Sequence, residues 1–94
     1  MSEWSDVSET FDDLNQSGVQ FLLVDLDLAM TMMDTAEATR LEDTKHRNHK
    51  NARTAYDSVL HLLEKLEPDA EQREAIDAKL ARLKTRLEAV GQQF

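Results

Sequence analysis

The chain has 94 residues, a formal net charge of −8 and no cysteine. A chain of this length supports one small hydrophobic core, and the lack of cysteine excludes disulfide bonds and thiolate metal sites. The charge is unevenly distributed, because residues 1–39 contain nine acidic residues and no lysine or arginine, whereas residues 40–94 contain ten acidic and eleven basic residues. We therefore expect a molecule with one acidic half and one half of mixed charge.

Residues 1–18 predict an acidic, amphipathic helical arm. The apolar residues that recur at helical spacing on one side of it are Trp4, Val7, Phe11 and Leu14. Ser17 and Gly18 then predict an interruption of the helix. We expect the arm to end there and residues 19–94 to form a separate bundle of helices. An arm of this kind can dock on its own bundle, on a second copy or on another protein.

The next helix is expected from about residue 19 to about residue 38 or 40. Its wide apolar arc contains Val19, Leu22, Leu23, Leu26, Ala29, Met30, Met33 and Ala36, with Phe21, Leu28 and Met32 at one edge. Such a helix is expected to be mostly enclosed by its neighbours. Asp25 falls inside the arc, where a carboxylate must be paired, hydrogen-bonded or protonated. Its candidate partners are His49, Arg53 and Tyr56.

Two further helices follow after short connections. Asp43 or Thr44 is expected to cap the second helix, whose inner face contains Ala52, Ala55, Tyr56, Val59, Leu62, Leu63 and Leu66. Pro68 ends that run, and a third helix is expected over residues 69–90 with Gly91 as its stop. Its apolar positions are Ile76, Leu80, Leu83, Leu87 and Val90. Short links between long helices predict an all-α, antiparallel, up-down-up bundle of three helices with the N-terminal arm.

Basic residues crowd the start of the second helix. They are Lys45, His46, Arg47, His49, Lys50 and Arg53. Positive side chains at a helix N-terminus oppose the helix dipole, so a compensating negative charge is expected nearby. The first interpretation is that they neutralise Asp34, Glu37 and the acidic arm. The alternatives are an anion-binding patch formed by Lys45, His46, Arg47 and Lys50, or charges that are simply solvated.

No residue pattern indicates catalysis. The chain has no glycine-rich phosphate loop, and its serines and threonines lack a positioned base, so we expect no enzyme, no catalytic residue and no cofactor. Glu42, His46 and His49 could approach one another, but metal sites in bundles draw Glu-x-x-His pairs from facing helices, and no metal site is expected. The acidic charge opposes binding to nucleic acid or anionic membrane. The first residues lack a secretory signal pattern, which predicts a cytoplasmic protein.

Two resemblances bear on function. The stretch Ala52-x-x-x-Tyr56-x-x-Val59-Leu60, followed by Pro68, resembles the second helix of a tetratricopeptide unit, although the proline comes twelve residues after the tyrosine rather than about eight. Residues 22–90, with Arg73-x-x-Ile76-x-x-Lys79-Leu80 and Arg86-Leu87-Glu88, resemble a microtubule-interacting-and-trafficking domain. Both resemblances imply a peptide-binding adaptor. In the second family the groove would lie at Tyr56, Leu60, Leu63, Ile76, Leu80 and Leu83.

These observations together predict a non-catalytic protein-interaction module, either an adaptor or a homo-oligomer. The partner would be another protein or a second copy of the chain. The candidate partner-binding residues are Trp4, Phe11, Tyr56, Leu60, Leu63, Leu80 and Leu83. Self-association through the third helix is one alternative. Another is a small anion or metal site at His46, His49 and Lys50.

Overall fold

The bundle is built from three helices that all contact one another. A computed structural model describes residues 3–94, with side chains described from Thr10 onward. The helices are α1 (Glu3–Ala38), α2 (Glu42–Leu63) and α3 (Ala70–Ala89), and the described residues contain no strand. The prediction of an all-α bundle of three helices is confirmed. The side chains of Trp4 and Val7 lie outside the described residues.

α1 is one uninterrupted helix through Ser17 and Gly18, so the predicted break at these residues is wrong. Gly18 serves a different purpose, because it lies against Leu66 in the connection between α2 and α3. A Cβ atom at residue 18 would lie 2.8 Å from Leu66 Cδ2. The glycine therefore allows a close approach between α1 and this connection.

The beginning of α1 is fastened to the connection between α2 and α3 by a two-way hydrogen bond. Asn15 Nδ2 donates to the Glu67 carbonyl at 3.0 Å, and the Glu67 N–H donates to Asn15 Oδ1 at 2.7 Å. In an antiparallel hairpin the start of one helix lies beside the end of the next. The acids Asp12 and Asp13 of the expected arm are therefore near the end of α2, and their predicted contact with its basic start is wrong.

α1 is much longer than the helices that pack on it. At a rise of about 1.5 Å per residue, 36 residues extend about 54 Å and the 22 residues of α2 about 33 Å. The molecule accordingly measures 60 × 21 × 17 Å. Because Asn15 already contacts the connection that follows α2, the first turns of α1 project beyond the bundle, and Phe11 is 66% exposed.

Local signals fix the ends of α3. Asp69 Oδ1 accepts from the Gln72 N–H at 2.7 Å while Gln72 Oε1 accepts from the Asp69 N–H at 2.9 Å, which is a complete capping box. At the other end Gly91 has φ +96°, and the Gln92 N–H donates to the Leu87 carbonyl at 3.0 Å. This is a Schellman motif, and it confirms the predicted glycine stop. α2 differs, because it begins at Glu42 with Leu41 as its N-cap residue rather than Asp43 or Thr44.

The core lies between one face of α1 and the facing sides of α2 and α3. Its buried residues are Val19, Leu22, Leu26, Ala29, Met33, Ala52, Ala55, Tyr56, Val59, Leu63, Ile76, Leu80, Leu83 and Leu87. Four of the five apolar positions predicted on α3 are used within this core, and Val90 remains exposed. The apolar side of α3 is therefore largely covered within one chain, and self-association through that helix stays a prediction.

The contact between Gly18 and Leu66 predicts that the effect of Gly18→Ala on the free energy of unfolding depends on the residue at position 66. Alanine is favoured over glycine inside a helix by about 1 kcal/mol, but in the native chain the new methyl group must displace Leu66. We expect Gly18→Ala to realise the full gain only in a Leu66→Ala background. A double-mutant cycle of urea unfolding measures the difference. Equal effects of Gly18→Ala in both backgrounds would show that Leu66 imposes no constraint.

Candidate interaction surfaces

The acidic residues in the second half of α1 are paired with α3. Lys79 Nζ contacts Asp27, and Arg86 contacts Asp34 Oδ1 at 2.8 Å and Glu37 Oε2 at 3.2 Å. The Asp27–Lys79 and Asp34–Arg86 pairs share a sequence separation of 52 residues, which shows that α1 and α3 run parallel in one register. Two antiparallel connections produce that orientation, as the up-down-up prediction requires.

The basic cluster does not neutralise α1 as predicted. In the part of the chain that the structure describes, Lys45, Arg47 and Lys50 form no ion pair, and Arg53 pairs with Asp57 of its own helix at 3.2 Å. The acidic residues of α1 are instead paired with Lys79 and Arg86 of α3, because α3 lies against the side of α1 that carries them. The sequence shows which charges are present, but it does not show which neighbouring helix faces them.

Lys45 and His49 reach a cleft at the end of the bundle. The cleft has a volume of about 310 Å³ and is lined by Met33, Ala36, Glu37, Lys45, His49, Arg86, Ala89 and Val90. His46, Arg47 and Lys50 are exposed and do not line it, so only Lys45 of the four anion-binding candidates reaches the cleft. The Glu37 carboxylate also lines the cleft and opposes an anion. Among the described residues, no group of three or more histidine and acidic side chains could hold a metal.

The proposed buried pair of Asp25 with His49 or Arg53 is absent from the described contacts. Asp25 is half-buried. The Arg53 guanidinium instead donates to Asp57 and to the residues after α3. His49 is half-buried beside the cleft, where desolvation, followed by the charges of Lys45 and His46, lowers the pKa of its imidazole. Asp25 therefore lies at the edge of the core, and no described hydrogen bond or ion pair joins its carboxylate to α2 or α3.

Most of the predicted partner-binding residues belong to the core. Tyr56, Leu63, Leu80 and Leu83 are buried, whereas Phe11 and Leu60 are exposed. Trp4 has a side chain outside the described residues. Buried residues present a surface to a partner only if the bundle opens, and a partner-binding role for these four residues stays a prediction.

An exposed apolar surface lies on α1 instead, and we call it the outer stripe. It consists of Leu14, Phe21, Val24 and Leu28, whose side chains are 50% to 63% exposed. α2 and α3 both pack on the other face of α1, so the prediction that the helix from residue 19 onward is mostly enclosed is wrong at Phe21, Val24 and Leu28. The sequence signal that could have indicated the stripe is the repeat of Leu14, Phe21 and Leu28 at intervals of seven residues, which aligns them along one side of a helix.

Unpaired acidic residues accompany the outer stripe. Within the described residues, Asp12, Asp13 and Asp25 are the acids of α1 that form no ion pair. Asp25 lies four residues after Phe21 and three before Leu28, so it shares their side of the helix. Asp13, eleven residues before Val24, borders the stripe on its other edge, so the stripe has a carboxylate on each side of it.

Comparisons with known proteins identify no relative of this chain. No protein-family model matches it, and no match was found among curated proteins or solved structures. The resemblances to tetratricopeptide and microtubule-interacting-and-trafficking domains stay predictions. No helix within the described part of the chain is both long and apolar enough to cross a membrane.

The pairing of α1 with α3 predicts an energetic coupling between Asp34 and Arg86. Because both side chains are partly solvated, we expect about 0.2–1 kcal/mol at low salt, decreasing in about 0.5 M NaCl. A double-mutant cycle with Asp34→Asn and Arg86→Gln, followed by urea unfolding, measures it. The matched cycle with Lys45→Gln in place of Arg86→Gln is expected to show no coupling. A coupling of Asp34 to Lys45 that exceeds its coupling to Arg86 would instead support the predicted pairing of Asp34 with α2.

The lowered pKa of His49 predicts a loss of stability in acid. Below the usual imidazole pKa of about 6.5 the unfolded chain binds a proton that the folded chain resists, so the free energy of unfolding falls as pH decreases from 6.5 towards the lowered pKa. We expect His49→Gln to flatten this part of a stability profile measured by urea unfolding. His61→Gln, on the exposed side of α2, is the control and should retain the loss. An unchanged profile in His49→Gln would assign the loss to other groups.

Proposed function

We propose that this protein is a non-catalytic interaction module that binds an amphipathic helix of another protein on its outer stripe. The observation that carries the proposal is the exposure of four large apolar side chains, at least half of each, along one side of α1. Exposed apolar groups that align in this way are typical of surfaces that receive a partner. The spacing of seven residues matches the anchor positions of a helix that lies alongside another helix.

Apolar contact alone gives a modest driving force. Full burial of one large apolar side chain contributes about 1.5–3 kcal/mol, so covering the remaining exposed parts of four contributes about 4–7 kcal/mol. Association costs at least about 4 kcal/mol in lost freedom of motion. The two terms nearly cancel, and a second source of attraction is needed for specific binding.

Electrostatic attraction to a basic partner supplies that source. Asp13 and Asp25 are unpaired within the described chain and border the stripe, whereas Asp12, seven residues before the buried Val19, lies on the opposite side of α1. A helix with lysine or arginine beside its apolar positions complements this surface. A second copy would instead place two acid-rich α1 helices against each other, so the stripe favours a different protein over self-association. The expected cytoplasmic location stays a prediction.

A pair of synthetic peptides tests this proposal. One is an amphipathic helix with leucine at its anchor positions and lysine beside them, and the other has glutamate in place of each lysine. We expect saturable binding of the lysine peptide in calorimetry and at least tenfold weaker binding of the glutamate peptide. Phe21→Ser/Leu28→Ser should weaken lysine-peptide binding at least tenfold, because it removes the apolar contact and leaves every charge in place.

The matched control is Leu60→Ser, which removes an exposed leucine from α2 and should leave binding unchanged. Circular dichroism checks that each variant keeps its helices. If the lysine peptide binds equally well to Phe21→Ser/Leu28→Ser, the attraction is only electrostatic and the outer stripe is not the site. If sedimentation shows a stable dimer of the native chain that is abolished by the same variant, the occupant is a second copy and the proposed partner class is wrong.

A further inference from the structure

The residues that follow α3 fold back onto α2. The left-handed conformation of Gly91 turns the chain, and Arg53 Nη1 then donates to the Gln93 carbonyl at 2.7 Å and to Gln92 Oε1 at 3.4 Å. These bonds hold the segment against the middle of α2. They also direct the next side chain, Phe94, towards the seam between α2 and α3.

The Phe94 ring occupies a site formed by three side chains from two helices. Its centroid lies 3.9 Å from Arg53 Cζ and 5.3 Å from Lys84 Nζ, so two cations face one ring. The Tyr56 ring contacts it edge-on, at 5.0 Å between centroids and an interplanar angle of 72°. Cations above a ring face and aromatic edges against it are attractive geometries for an aromatic side chain.

Two of the three side chains of the site are also held by contacts within α2 and the core, and Phe94 fills the site incompletely. Asp57 accepts from Arg53 Nε with distances of 3.2 and 3.3 Å, which holds the guanidinium in place from within α2. Tyr56 is fixed in the core. Phe94 itself remains 47% exposed, and α2 contacts α3 less than either contacts α1. A pre-arranged receptor with a half-exposed occupant is suited to exchanging that occupant.

We propose that Arg53, Tyr56 and Lys84 form a binding site for a phenylalanine-bearing peptide segment of a partner protein, and that Phe94 is its intramolecular competitor. The recognised chemistry is an aromatic ring preceded by a main-chain carbonyl that accepts from Arg53. The site is separate from the outer stripe, so this inference does not depend on the proposed function. Because the tethered segment acts at a high effective concentration, the native chain should bind a partner more weakly than a chain without the Phe94 ring.

The test uses the acetylated, amidated peptide Gly-Gln-Gln-Phe as the probe and Phe94→Ser as the receptor. In an NMR titration we expect saturable shifts at the backbone amides of Arg53, Tyr56 and Lys84. The native chain should bind the probe at least about fivefold more weakly, because its own segment must first leave. The control peptide Gly-Gln-Gln-Ser should cause no saturable shift.

Second variants separate the site from unspecific contact. Arg53→Gln in the Phe94→Ser background should abolish probe binding, whereas Arg82→Gln, which removes an exposed cation from α3, should not. If Phe94→Ser loses its helical signal, Phe94→Leu replaces it with the same expected outcomes. Equal affinity of the native chain and the variant would overturn the competitor role. The absence of saturable shifts, or their persistence in Arg53→Gln, would overturn the binding site.

Discussion

The packing of α2 and α3 on a single face of α1 determines the rest of this structure. Val19, Leu22 and Leu26 are fully buried in that face, and two helices of 22 and 20 residues cover it. Two helices cannot surround a third, so the opposite face of α1 stays open to solvent. Its apolar residues are consequently left exposed although the helix is apolar over much of its circumference. The outer stripe is therefore exposed because only two helices pack on α1, and not because α1 has an unusual local conformation.

Contacts at the two ends of the bundle fix how far α1 slides along its neighbours. Gly18 and Asn15 meet the connection between α2 and α3, while Arg86 joins Asp34 and Glu37 at the opposite end. Leucine-rich helix faces alone permit shifts of one turn with little loss of burial, whereas hydrogen bonds and charge pairs are satisfied in one register only. In this register the first turns of α1 project past the bundle, and the whole outer stripe is exposed to solvent.

Features that depend on neighbouring residues in the chain were predictable, and features that depend on a choice between neighbouring helices were not. The glycine stop at Gly91 and the helix break at Pro68 follow from local backbone chemistry. Glycine occurs both where a helix is interrupted and where two segments of a chain pack closely together. The sequence does not distinguish these two roles for Gly18, because the second depends on its contact with Leu66, which is distant in the chain. The pairing of Asp34 was assigned to α2 because that helix follows directly in sequence, although the parallel neighbour α3 faces the acidic flank. Four of the seven partner-binding candidates are buried, because an apolar pattern predicts burial better than it predicts exposure.

The ion pairs with α3 also shape the electrostatic field of α1. Asp27, Asp34 and Glu37 are paired with Lys79 and Arg86, so the acids of α1 that form no ion pair within the described chain lie between residues 12 and 25. That is the stretch occupied by Leu14, Phe21 and Val24. Under the proposed function, a basic helix would be drawn to the portion of α1 that carries the apolar anchors, and not to the end of the bundle where Lys45, Arg47 and Lys50 follow the acidic first turn of α2. Charge would set where and in which direction such a partner lies, and apolar burial would hold it there.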